Sequence, residues 1–317
     1  VDQTFHAFGA CIVRTPLPVQ ALPAATASNT ASIIDIDWGT DGAPHGTEWC
    51  HHWRDGEDVV LSLARQGADY WLRFPDLADF RLQMAPHRIL VAAEPGTDAT
   101  TLEHLLVDQV LPRLLAQQGH LLVHASALAI AGRHALFLGP SGGGKSTLAG
   151  LLQHAGHAVL SDDCVQLEPD GERFKAIPTY PSLRLYADSI EEVFPQPIES
   201  TPVASYSDKR RIPVAFSGGD GTGVPVDALY LLGDPTEAGE TIRIAPLRPA
   251  QACEALLRHS FRLDLGDRAA TASHFTRCSA VARAVPAFHL DYPRDFALRD
   301  PLVRSIAEHL THLPASI

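Results

Sequence analysis

The chain has 317 residues, with 25 Lys+Arg against 37 Asp+Glu and a formal net charge of −12. That length is ample for one large domain or two ordinary ones, and 45% hydrophobic with 20% charged residues is the balance of a globular protein. The acidic excess excludes a general nucleic-acid binder, which needs clustered positive charge to displace counterions from phosphates.

Residues 15–32 (TPLPVQALPAATASNTAS) are rich in Pro, Ala, Thr and Ser and read as an irregular or mobile segment. Strand-like runs surround it at 8–13, 32–37, 59–63, 69–74 and 88–92, separated by Gly, Pro or Asp, so residues 1–99 are expected to form a mainly β N-terminal domain. Trp38, Trp49, Trp53 and Trp71 all fall there. They are read as its core, with an aromatic peptide groove as the alternative. Cys50, His51 and His52 are neighbours on one strand, where successive side chains face opposite ways, so they are not expected to share a metal. Across 100–118, Leu102, Leu105, Leu106, Val110, Leu114 and Leu115 recur at three- and four-residue steps. This predicts a connecting helix, kinked or restarted at Pro112.

The remainder, 119–317, mixes strands and helices and predicts an α/β domain. Strands at 121–127 and 134–138 are expected to pair around Gly132, followed by a glycine loop, a helix at 146–154 and a short strand at 158–161. Further strands are expected at 174–177, 182–186 and 226–232, and helices near 249–259 and 301–312. Five cysteines without CxxC spacing suggest neither a disulfide framework nor a zinc site. No basic segment precedes an apolar core at the N-terminus, and no apolar run could span a bilayer. The expectation is a soluble cytoplasmic protein without membrane contact.

The segment GPSGGGKST, residues 139–147, matches GxxxxGK[ST] in full. Gly139, Gly142, Gly143 and Gly144 let the backbone curl around Ser141 so that its N–H groups face phosphates. The helix that follows directs its positive end at the same anion. Lys145 supplies a compact ammonium for the β and γ phosphates, Ser146 a hydroxyl for Mg²⁺, and Thr147 completes the motif. Lys145 is one of only three lysines in the chain, with Lys175 and Lys209. The pattern predicts ATP or GTP with Mg²⁺.

Asp162 and Asp163 follow the apolar strand that comes after the loop helix. One of the pair can hold Mg²⁺ or its water, and the other can accept a proton from an incoming hydroxyl. His124, within LLVHASALAI, is either a satisfied core residue or a group that orients an Asp.

Taken together, His124, the loop lysine 21 residues on and the DD pair resemble the HPr kinase/phosphorylase family. The resemblance covers about 120–190. It implies an active-site role for His124, ATP on the loop, Mg²⁺ on Ser146, and Asp163 as proton acceptor from a serine hydroxyl. The resemblance departs at YPSLRLYADS, 180–189, where the family has a Glu metal ligand and this chain has no Glu in register. Mg²⁺ is then expected on Ser146 and Asp162 with waters.

Across the whole chain the motifs FGACIVRTPLPVQALP, HASAL, GPSGGGKSTL, LSDD, YPSLRL and DKRR are similar to the HPr-kinase-related proteins of lasso peptide clusters. That resemblance implies phosphorylation of the C-terminal serine of a precursor peptide, and homo-oligomers are known in the family. It also places a basic segment where Lys209, Arg210 and Arg211 lie. Cations there can stabilise a transferring phosphoryl or grip a carboxylate, and Arg184 is a second candidate. The expected function is an ATP-dependent serine kinase of a peptide or small protein. The alternatives are an HPr(Ser) kinase of carbon regulation and a non-catalytic ATP-gated module.

Overall fold

The computed structural model describes residues 3–8, 11–17, 19, 22, 24–25, 32–39, 41–179, 182–214, 223–237 and 239–314. Most of the Pro-rich 15–32 segment, and Tyr180 and Pro181, lie outside them. The described residues form a mixed α/β fold with four sheets.

Up to Ala93, eight strands among the described residues form one sheet. His51–Asp55, Asp58–Gln66, Asp69–Phe74, Ala78–Met84 and His87–Ala93 run as an antiparallel meander. Ser32–Trp38 joins it in parallel, followed by Cys11–Thr15 and Gln3–Ala7. Alternation decides which face is covered. Leu63, Leu72, Phe80 and Val91 lie opposite one another across four strands and are buried on one face. The strand expected at 8–13 is shifted: Gln3–Ala7 ends before Phe8, whose φ is 51°, and the next strand is Cys11–Thr15.

Residues 99–117 close over that face. All six apolar positions of the expected helical stripe are buried in the same core as the sheet, and each such side chain contributes roughly 1.5–3 kcal/mol. The helix is not simply kinked. Ala99–His104 runs into a π-helical turn, Leu105–Val110, which ends just before Leu111–Gln117. The Leu111 N–H bonds to the Leu106 carbonyl, one residue further back than in an α-helix. Pro112, which has no N–H, then falls in the first turn of the next helix, where none is needed.

The second large sheet has the order Ala158–Ser161, Ala125–Ile130, Arg133–Leu138, Ala228–Leu232, Ala287–Asp291, Arg243–Pro246. Leu136 and Leu138 point to one side, with helices Pro249–Arg258 and Arg268–Ala284. Ala135 and Phe137 point to the other, with helices Lys145–His154 and Arg299–His312. Helix Arg268–Ala284 has no counterpart in the sequence expectations. Its sequence is rich in alanine and has few larger apolar residues, and only His274, Cys278, Val281 and Ala282 are buried. None of the described helices is long and apolar enough to cross a membrane.

The expected strand 121–127 is corrected. Leu121–Val123 belongs to a separate four-stranded sheet, paired with Val165–Leu167. The chain breaks at His124 and re-enters the large sheet as Ala125–Ile130, which pairs with Arg133–Leu138. Ala131 and Gly132, both at positive φ, make the turn. Two buried strand segments in different sheets read in sequence as one apolar run.

Strand directions place the site. Ala158–Ser161 and Arg133–Leu138 are each antiparallel to Ala125–Ile130, so they run the same way. Their carboxyl ends and the start of Ala125–Ile130 therefore share one edge, where the glycine loop, the DD pair and His124 meet. Parallel α/β sheets bind ligands at that edge.

Candidate active site

The glycine loop is shaped by its backbone. Gly142 and Gly144 have φ of 74° and 88°, which glycine adopts without strain. A Cβ on Gly143 would lie 3.0 Å from the Pro140 carbonyl oxygen, so any larger residue there would have to push the curl open. Gly139 packs against Leu232 at the end of the neighbouring parallel strand. Gly144 caps helix Lys145–His154 without a side chain, leaving its first N–H groups aimed out of the loop.

Lys145 is buried, and its Nζ donates to the Gly139 and Pro140 carbonyls at 2.8 and 2.9 Å. Burial lowers its pKa, against the opposing charges of Asp163 and Asp162.

The DD pair divides in two directions. Asp162 is fully buried. Its Oδ1 accepts from Ser126 Oγ at 2.5 Å and its Oδ2 from the Arg184 N–H at 3.3 Å, and Ser146 also bonds to it. Burial, then the charge of Asp163, raises its pKa despite those donors.

Asp163 faces the opening. Its φ of 66° is left-handed, a conformation that costs a non-glycine residue about 1–3 kcal/mol and clusters at functional sites. Asp is among the side chains that tolerate it best. His124 Nε2 lies 3.3 Å from Asp163 Oδ1, and Arg184 donates to Oδ2 at 2.9 Å. Burial works against the carboxylate, but His124, Arg184 and Lys209 together hold its pKa well below the usual range.

Behind this pair lies a buried relay that the sequence did not suggest. Arg184 also donates to Asp108 Oδ1 at 2.7 Å, and Asp108 Oδ2 meets His104 Nδ1 at 2.6 Å. Asp108 sits on the π-helical turn, so that irregularity aims a carboxylate at the site. Nothing in the apolar spacing of 100–118 distinguishes Asp108 from a solvated helix acid. Its only signal is that it falls between Val107 and Val110 on the buried face.

The basic segment is split by strand alternation. Across the antiparallel pair, Lys209 lies opposite Tyr186 and Arg211 opposite Arg184, whereas Arg210 lies opposite buried Leu185. Lys209 reaches the loop. Arg211 bonds to Glu103 at 3.4 Å, and Arg210 bonds to the Ser200 hydroxyl and carbonyl at 2.7 and 2.8 Å. The structure thus gathers His124, Asp163, Arg184 and Lys209 with Ser141, Gly142, Gly144, Lys145, Ser146 and Thr147 around a cavity of about 130 Å³. Asp162 lies beneath it. Arg210 and Arg211 are held elsewhere.

No family model matches the chain, and no curated protein matches it. Among solved structures, the HPr(Ser) kinase/phosphatase from Coxiella burnetii aligns at 14% identity and a TM-score of 0.30, covering 60% of this chain and 98% of that one. A likeness of that degree leaves the functional reading to the residues of the site.

Proposed function

We propose that the chain is a Mg·ATP-dependent serine kinase acting on a peptide or small protein. Our first substrate is the C-terminal serine of a lasso precursor peptide. One observation carries the reading. Asp163, strained and gripped by His124 and Arg184, shares a cavity with the loop's Lys145 and Ser146 and with Lys209.

The residues suit the groups they would hold. Asp162 and Ser146 offer hard oxygen ligands side by side. Mg²⁺ needs only one or two carboxylates when phosphate oxygens and waters complete its shell. When bound, it neutralises charge on the phosphates. Beside Gly144 and Thr147 lies a more apolar cavity of about 210 Å³, lined by Leu148, Leu151, Tyr292 and Phe296, which suits the nucleoside. Arg294 braces it by donating to the Gly143 and Gly233 carbonyls at 3.1 and 2.9 Å.

In the transfer, Lys145 and Lys209 stabilise charge on the phosphoryl oxygens. Asp163 orients the serine hydroxyl and takes its proton. The serine oxygen bonds to the γ phosphorus as the bond to the nucleoside diphosphate oxygen breaks. Because the Asp163 charge is held so firmly, the proton moves late, as a loose phosphoryl transition state allows.

The test is incubation of the purified protein with ATP, Mg²⁺ and serine-ending peptides, followed by mass spectrometry. Phosphopeptide is expected. Nucleotide binding with no phosphorylated product from any such peptide would favour the ATP-gated module, and product with HPr alone would favour the HPr kinase.

A further inference from the structure

Beside the same glycine loop, next to the cavity of about 130 Å³, lies a larger one of about 440 Å³. His124 lines both, so the two meet at the histidine that touches Asp163. The walls come from distant parts of the chain: Trp53 from the first sheet, Arg113 from the helix over it, and 258–262 from the end of helix Pro249–Arg258.

The charge of this cavity is one-sided. Among the described residues, Arg113, Arg258 and Arg262 line it, and no Asp or Glu does. Arg258 is exposed and paired with Glu254 at 2.9 Å. Burial, then the charges of Lys145, His124 and Arg258, lowers the pKa of His259 to about 4, so it adds no charge at neutral pH.

Arg113 is different. Its NH1 donates to the Gln109 carbonyl and Oε1 at 2.8 and 2.9 Å, both neutral acceptors. Its Nε is shielded from solvent and has no hydrogen-bond partner. Its guanidinium carbon lies 5.4 Å from the centre of the Trp53 ring and 5.6 Å from that of Phe261. Burial pushes its pKa down to about 10, with no carboxylate among the described residues to offset that. A partly buried, desolvated cation without a counter-charge is costly unless an anion completes it. A guanidinium makes its hydrogen bonds in its own plane, the geometry that fits a carboxylate.

We propose that this cavity is the acceptor subsite and that it recognises a carboxylate close to the reacting hydroxyl, with Arg113 as the specificity-determining residue and Trp53 and Phe261 as its walls. The assignment rests on the kinase reading for which hydroxyl reacts, but the binding it asserts needs no nucleotide. The carboxylate has two sources, a chain terminus or an acidic side chain beside the serine.

The test is calorimetric binding, without nucleotide, of N-acetyl-Ala-Ala-Ser as free acid, the same peptide as its amide, and N-acetyl-Ala-Asp-Ser amide. The free acid is expected to bind about tenfold or more tightly than its amide. If the aspartyl amide recovers the affinity, the source is any nearby carboxylate; if it does not, the source is the terminus. Arg113→Gln should erase the difference between acid and amide, and Arg113→Lys should restore part of it. Equal binding of acid and amide by the wild-type protein, or binding of neither, overturns the proposal without any variant having to fold. Carboxylate-dependent binding with no phosphoryl transfer would leave the subsite standing and remove the kinase reading.

Discussion

Arg184→Met removes a guanidinium whose side chain is 1% exposed and which joins two carboxylates, Asp108 at 2.7 Å and Asp163 at 2.9 Å. Methionine keeps much of the volume, so the cost is electrostatic. Breaking a buried pair by deleting one partner typically costs about 3–5 kcal/mol, because a charge is left uncompensated. Here both carboxylates keep a histidine, His104 and His124 respectively, so the lower end of that range, about 3 kcal/mol, is expected. The assay is urea unfolding followed by tryptophan fluorescence, read as a shift in midpoint at unchanged slope. Asp108→Asn should cost less in the Arg184→Met background than in the wild type, by about 1–3 kcal/mol, because the two residues share one interaction. A loss under about 1 kcal/mol for Arg184→Met, or strictly additive costs, would refute the buried bridge.

Three further outcomes are expected. Asp163→Asn, which keeps a side chain tolerant of left-handed φ, should lower phosphoryl transfer about 10²- to 10⁴-fold while nucleotide affinity is retained, as checked by steady-state kinetics beside calorimetry. Gly144→Ala imposes a side chain at φ 88° and should cost about 1 kcal/mol or more and weaken nucleotide binding, measured by thermal shift with and without Mg·ATP. Asp98 caps helix Ala99–His104 by accepting from the Thr101 N–H at 2.9 Å, a bond that lowers its pKa. Its contribution is therefore present above the ordinary carboxylate pKa and lost as pH falls through the depressed one. Asp98→Ala should cost about 1 kcal/mol at pH 7 and progressively less below about pH 4, in unfolding curves taken across that range.

The parts of the site that could be read from sequence are contiguous. The loop is nine residues in a row whose backbone and side-chain tasks each demand a residue type, and the DD pair directly ends a strand. His124 was visible as an oddity in an apolar run, but its position between two sheets was not, because both sheets bury their strands and the apolar run continues on either side of it. Asp108 was hidden for a related reason. A carboxylate within a leucine stripe reads as solvated until a partner 76 residues away, Arg184, is brought to it. Lys209, Arg210 and Arg211 looked like one cluster, yet strand alternation sends the middle one to the opposite face.

The reading of the tryptophans as core holds for Trp71, 7% exposed, and fails for Trp38, 51% exposed. Trp53 is half-buried and lines the cavity of about 440 Å³. A large ring is apolar enough for either setting, and only the fold decides.

The break at His124 makes the 121–130 segment unusually exacting in length. Leu121–Val123 is fixed in register against Val165–Leu167, and Ala125–Ile130 is fixed on two sides by Arg133–Leu138 and Ala158–Ser161. A single residue inserted or deleted here would turn the side chains of one strand to the wrong face, carry Ser126 away from Asp162 and His124 away from Asp163. Random libraries should therefore accept substitutions at several of these positions while rejecting every change in their number.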